Sequence, residues 1–140
     1  MRKIYLAGPL FNEMELNRNL EIADILRKWG YEVFLPQEEA GLALGLITGK
    51  NKHKIYKEIF NKDVEGIKNC DILLFLLDGR VPDEGACVEL GMAYAWNKKC
   101  IGYKTDVRAL DTTGDDNLFI EVSMDFKIAR NIKELKNLLY

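Results

Sequence analysis

A chain of 140 residues, 48% of them hydrophobic, is long enough for one buried core and short for two, so a single domain over residues 1–140 is expected. A formal charge of -2, with Lys and Arg scattered rather than clustered, excludes the basic footprint of a protein that grips nucleic acid or an anionic membrane. A small-molecule partner is expected instead.

Residues 3–8, Lys-Ile-Tyr-Leu-Ala-Gly, read as a short buried strand closed by Gly8 and Pro9. That apolar run is too short for a signal peptide or membrane span, which points to a cytoplasmic protein. From Asn12 to Trp29 the apolar positions Ile22, Ile25, Leu26 and Trp29 recur at helical spacing, with Asn12 as N-cap and Gly30 as stop. Tyr31 to Leu35 is a second strand ended by Pro36. Glu38 to Lys52 carries three glycines and no clean period, and is read as a mobile flap with at most a helical turn. A second helix spans Lys54 to Asn69. The apolar run from Ile72 to Leu77 is a strand buried on both faces, the kind found in parallel sheets. A third helix runs from Glu84 to Asn97, and a strand from Cys100 to Tyr103. A loop-rich stretch follows to Asp116, then a short strand near Ile120 to Val122 and a last helix over Ile132 to Leu139. Strands alternating with helices imply an open parallel sheet wound on both faces, with ligand at the carboxyl ends near the switch between strands one and three.

The chemistry-bearing side chains are few. One serine, Ser123, and one histidine, His53 among lysines, make a Ser-His-Asp hydrolase or a His-rich metal site hard to assemble, so no metal or cofactor is expected. Cys70, Cys87 and Cys100 lack CxxC spacing and suit reduced core thiols. Acid–base work falls to carboxylates and tyrosines.

Glu89 is the one charge in the stretch Gly85 to Trp96, on a helix that reads as buried nearly all round. Burying an unpaired carboxylate costs several kcal/mol, so such a residue has a partner or a function, unless its one position faces water. Asp63 repeats the anomaly on a stripe of Tyr56, Phe60 and Ile67, where a stripe edge or cap is the structural alternative. Asp83, six residues before Glu89, stands where a plain N-cap would. Carboxylates converging at the strand ends would supply an acid beside a nucleophile, the pair used on glycosyl bonds. Gly8, Gly79 and Gly85 allow close backbone approach there. Neither GxGxxG nor a P-loop is present.

Taken together, Tyr5-Leu-Ala-Gly-Pro-Leu-Phe11, Pro36-Gln37, Asn61-Lys-Asp63, Leu77-Asp-Gly79, Asp83-Glu-Gly-Ala-Cys-Val-Glu-Leu-Gly91 and Asn117-Leu-Phe119 resemble the nucleoside 2-deoxyribosyltransferase family over nearly the whole chain. The resemblance implies a flavodoxin-like (Rossmann-like) three-layer sandwich with a five-stranded, mostly parallel sheet. It implies transfer of 2-deoxyribose between bases in nucleotide salvage, with deoxynucleosides and free nucleobases as partners, and a homo-oligomer (dimer or hexamer) with shared active sites. Glu89 would be the nucleophile that forms a deoxyribosyl ester, Asp63 and Asp83 would handle the base and its proton, and Tyr5, otherwise a core aromatic, would orient Glu89. Gly8, Phe11, Gln37, Asp78 and Gly85 would line the substrate site, with Asn117 and Phe119 reaching the sugar, Asn117 across the interface. Gln37 is equally explicable as a turn residue, Asn117 as an ordinary loop residue. The stretch Thr105 to Arg108 has no role assigned by the residues.

Two rival functions are weighed. A nucleoside 5′-monophosphate N-glycosidase resembles this chemistry but has serine-rich loops, whereas the loops here, Gly8 to Asn12 and Arg80 to Gly85, hold no serine; Arg80 could meet a phosphate by charge alone, while Asp83 and Glu84 would repel it. A non-catalytic nucleotide-binding or sensor domain would share the fold but have no need of Glu89 and Asp63 on apolar helix faces.

Overall fold

In a computed structural model that describes residues 1–109, 112 and 114–140, and only the backbone of Leu42, the elements run β1 (Lys3–Ala7), α1 (Glu13–Lys28), β2 (Glu32–Phe34), α2 (Pro36–Leu44), α3 (Lys52–Asn69), β3 (Ile72–Leu76), α4 (Glu84–Ala95), β4 (Lys99–Tyr103), α5 (Leu118–Ser123), β5 (Ile128–Ala129) and α6 (Ile132–Leu139). The strands form one sheet in the order β2-β1-β3-β4-β5, and every pairing is parallel. The sheet is therefore wholly parallel, of flavodoxin-like type, and its order reverses between β1 and β3 as expected.

Alternation along the central strands explains the three layers. Ile4 and Leu6 of β1 and Ile72, Leu74 and Leu76 of β3 point to one face, where Ile22 and Leu26 of α1 and Leu135 and Leu139 of α6 cover them. Tyr5, Ala7, Leu73, Phe75 and Leu77 point to the other, against Ile67 of α3, Ala86, Leu90 and Ala93 of α4, and Ile120 and Met124 of α5. Each strand thus reads as a continuous apolar run because both of its faces are buried. Among the described residues no helix is long and apolar enough to cross a membrane.

Helix α1 starts as its sequence predicts, with Asn12 Oδ1 accepting from the Glu15 amide at 3.0 Å, and Gly30 beyond its end takes φ +90°. Four readings are corrected. The stretch read as a flap opens with a nine-residue helix, α2. Pro36 sits in its first turn, and ion pairs of Glu38 with Arg27 (2.6 Å) and Glu39 with Lys62 (2.7 Å) fasten it to α1 and α3. Ile120 to Val122 is helix α5, begun by Asn117, not a strand; the missing fifth strand is β5, whose two residues are too few to show a period. Helix α4 buries one face only, Ala86, Leu90 and Ala93, while Val88 and Tyr94 are more than half exposed. Tyr56 and Phe60 are likewise exposed, so the buried stripe of α3 is Ile55 and Ile67. Leu110, Asp111 and Thr113, within the loop read before Asp116, lie outside the described residues.

Candidate active site

The site is built where β1, α3 and α4 meet. Asp83 caps α4, its Oδ2 accepting from the Ala86 amide at 2.8 Å. The small side chains of Ala86 and Ala93 lie on the sheet, and Glu89, three residues after one and four before the other, shares their face. The helix sits close enough for the Tyr5 phenol to donate to Glu89 Oε1 at 2.6 Å. Tyr5 is a fully buried core aromatic whose hydroxyl is nonetheless engaged by Glu89.

Asp63 approaches from α3. Its Oδ1 is buried and has no hydrogen-bond partner among the described residues, a costly state that a ligand N–H would relieve. Burial pushes its carboxyl up to about 6, opposed by Lys62 and helped by Glu39. Burial pushes Glu89 up to about 7; the Tyr5 hydrogen bond pulls it back, and the charges of Asp63 and Asp83 push it further. The Tyr5 phenol is raised by burial and by the neighbouring carboxylates, so it stays protonated and donates. The charges of Asp63 and Asp83 thus bear on Glu89, and burial raises both Glu89 and Asp63 above the ordinary carboxylate range.

The other residues expected at the site fall into three groups. Gly8 closes β1 where an added Cβ would lie 3.0 Å from Leu76 Cβ, so strand packing alone demands a small residue there. At Gly85 the near neighbour is Asp83 Oδ2, 3.2 Å from where a Cβ would lie, so the cap itself crowds that position. Gln37 and Asp78 are engaged within the protein. The Gln37 amide accepts from Asn19 Nδ2 (2.9 Å) and donates to the Leu16 carbonyl (3.0 Å), holding α2 on α1. Asp78 accepts from the amides of Thr105 (2.6 Å) and Asp106 (3.0 Å) and from the Thr105 hydroxyl (2.5 Å), binding the end of β3 to the loop after β4. Phe11, Asn117 and Phe119 are exposed. Asn117 caps α5 through the Phe119 amide (2.9 Å) and, with Phe119, Arg80, Pro82 and Cys87, lines a concavity of about 490 Å³. Glu89 and Asp63 are not among the residues that line that concavity, whereas Pro82 and Glu84, on either side of Asp83, are.

Arg108, without a role in the sequence, is a structural clamp. It donates to the carbonyls of Gly79 (2.6 Å) and Leu77 (3.0 Å) and to Asp116 Oδ1 (2.7 Å), while buried Lys104 holds Asp116 Oδ2 at 2.9 Å. Burial alone would raise the Asp116 carboxyl; the hydrogen bonds from Lys104 and Arg108 outweigh it and hold it below the ordinary value. The neighbour of Asp116 is Asn117, so this cluster fixes where Asn117 is presented. A basic residue two places after Asp106 in a polar loop carries no signal of this in sequence.

His53 is exposed, the three cysteines are free thiols, and no metal-binding group of three or more side chains occurs among the described residues.

Comparison with known proteins adds the following. The profile of the nucleoside 2-deoxyribosyltransferase family matches residues 4–124. An uncharacterised protein of Ureaplasma parvum serovar 3 is 33% identical over 100 residues, which cover 69% of this chain and 61% of that protein. This chain therefore aligns with less than two thirds of that relative. Of solved structures, the 2-deoxyribosyltransferase of Bacillus psychrosaccharolyticus superposes with a TM-score of 0.80 at 27% identity, covering 96% of this chain and 90% of that one. A conserved protein of Enterococcus faecalis V583 gives 0.77 at 27% identity, covering 99% and 96%. The CMP N-glycosidase of Clostridium botulinum shares the fold, with a TM-score of 0.63 at 19% identity over 99% of this chain and 98% of that one.

Proposed function

The chain belongs to the nucleoside 2-deoxyribosyltransferase family, whose chemistry is deoxyribosyl transfer or related N-glycosidic cleavage, and on that premise we propose that it moves 2-deoxyribose between nucleobases through an ester on Glu89. The observation that carries this reading is the 2.6 Å bond from Tyr5 to Glu89 Oε1. It selects one oxygen as the anchored one and leaves Oε2 to attack.

In the first step Oε2 bonds to C1′ as the C1′–N bond breaks. The bond's electron pair leaves with the base, which takes a proton from the Asp63 carboxyl. The developing oxocarbenium ion lies beside an anionic carboxylate, and a sugar without a 2′-hydroxyl destabilises that cation less. In the second step a nitrogen of another base attacks C1′, the ester oxygen leaves with its electrons, and the incoming base returns its proton to Asp63. Splitting the displacement in two retains configuration. Asp83, committed to its cap, contributes charge and a hydrogen-bond acceptor at the helix start.

The exposed Asn117 and Phe119, together with the exposed apolar residues Val88 and Tyr94 of α4 and Leu118 and Val122 of α5, support a homo-oligomer in which a neighbour's Asn117 meets the sugar. The reading is tested by incubating the protein with thymidine and free adenine and separating the products. Deoxyadenosine is the expected product. Free deoxyribose alone would favour an N-glycosidase, and no reaction with any nucleoside or nucleotide would favour a binding domain.

A further inference from the structure

A glycine inside a helix costs about 1 kcal/mol relative to alanine, yet Gly66 lies within the eighteen-residue helix α3. The reason is steric. A Cβ at position 66 would lie 2.8 Å from Phe34 Cζ and 2.9 Å from both Cε atoms. The Phe34 ring cannot move toward the sheet without meeting Tyr5, on which it is stacked with centroids 5.2 Å apart and planes 13° from parallel. The stack is built by the sheet, since Tyr5 and Phe34 are register partners on neighbouring parallel strands and project from the same face. Gly66, Phe34, Tyr5 and Glu89 thus form a continuous chain of contacts ending in the 2.6 Å bond to the carboxylate. Gly66 also lies three residues after Asp63, on the same face of α3.

We infer that Phe34 and Gly66 are positioning residues for this site: the Phe34 ring, in the space Gly66 leaves for it, sets the pose of Tyr5 and hence of Glu89. A methyl group at position 66 has two outlets. It drives the ring toward Tyr5, or it lifts α3 off the sheet and takes Asp63 away. Either outcome changes the arrangement of carboxylates without touching a substrate-contacting atom. The inference rests on the proposed transfer reaction for its kinetic readout, but not for its structural one.

The test uses Phe34→Leu and Gly66→Ala singly, together, and Phe34→Leu combined with Tyr5→Phe. In the exchange assay Phe34→Leu lowers kcat about tenfold with KM within about twofold, and in the Tyr5→Phe background costs less than about twofold more, because it acts through the Tyr5 hydroxyl. Gly66→Ala lowers kcat by a similar factor, and Phe34→Leu, by shortening the obstructing side chain, cancels most of the added loss. An undiminished Phe34→Leu effect without the Tyr5 hydroxyl, or wild-type kcat in Phe34→Leu, overturns the inference; these arms decide it even where Gly66→Ala fails to fold. Independently of turnover, the carboxyl carbon of Glu89, followed by NMR in protein labelled at glutamate, shifts from its wild-type position in Phe34→Leu. An unmoved signal overturns the positioning role. A wild-type protein that exchanges no base while the Glu89 signal still responds to Phe34→Leu refutes the transfer reading and leaves the contact chain standing.

Discussion

The Tyr5 hydroxyl and the Glu89 carboxylate, 84 positions apart in the chain, meet at 2.6 Å because a parallel sheet and one alanine-faced helix bring β1 and α4 together. A hydrogen bond to a charged group in a part-buried setting contributes about 1.5–3 kcal/mol. Tyr5→Phe is therefore expected to lower kcat about tenfold to a hundredfold while leaving the fold intact, as read by circular dichroism and steady-state kinetics. Wild-type kcat in this variant would remove Tyr5 from the mechanism.

Asp63 has a buried oxygen with no hydrogen-bond partner among the described residues, and a carboxyl whose proton burial holds up to about 6. Asp63→Asn cannot deliver that proton, and general-acid contributions of this kind are about a hundredfold or more. The loss is expected with ordinary deoxynucleosides and is expected to shrink for N7-methyl-2′-deoxyguanosine, whose base departs without protonation. An equal loss for both substrates would place the proton elsewhere.

Glu89 contributes oppositely to activity and stability. Its folded-state carboxyl, at about 7, lies above the ordinary value of 4.5, so the folded chain binds more protons between those limits. The contribution of Glu89 to stability is greatest below about 4.5, falls as the pH rises through about 7, and stays reduced above it. Glu89→Gln keeps an acceptor for Tyr5 and removes the charge. We expect a higher Tm than wild type at pH 8, by up to about 3 kcal/mol in stability, a difference that closes toward pH 4.5, and exchange activity lost at every pH. In wild type kcat/KM is expected to be bell-shaped and highest between about 6 and 7, because the nucleophile Glu89 must be ionised while Asp63 must still carry the proton it delivers. A Glu89→Gln protein less stable than wild type at pH 8 would mean that the charge is not under strain.

Much of this was legible in the residues. The buried β3, the capped α1 and the displaced acids of α3 and α4 follow from period, cap chemistry and the energetic cost of a carboxylate on an apolar face. Helix α2 was hidden by Gly41 within it and by Gly45 and Gly49 just after it, and β5 by its length. The exposure of Val88 and Tyr94 was hidden because an apolar side chain records that it needs cover without recording whether its own chain provides it. Phe34, Gly66, Arg108 and Lys104 act through contacts between segments far apart in sequence, for which local pattern holds no signal.

Asn117 and Phe119 line a concavity whose lining does not include Glu89. With shared sites, Glu89→Ala and Asn117→Ala are each expected to be poorly active alone. Mixed after dissociation and reassembly, they are expected to form some sites with both residues intact and to regain activity. No recovery from a verified mixed oligomer would mean that each site is completed by its own chain.

The central claim is a covalent bond between deoxyribose and Glu89. The direct measurement is mass spectrometry of enzyme quenched in acid during turnover of thymidine without an acceptor base, followed by peptide mapping. The account predicts a population heavier by one deoxyribosyl group, with the adduct on the peptide carrying Glu89 and absent from Glu89→Ala. Rapid base exchange by an enzyme that remains unlabelled through the burst, or labelled on another residue, would contradict it.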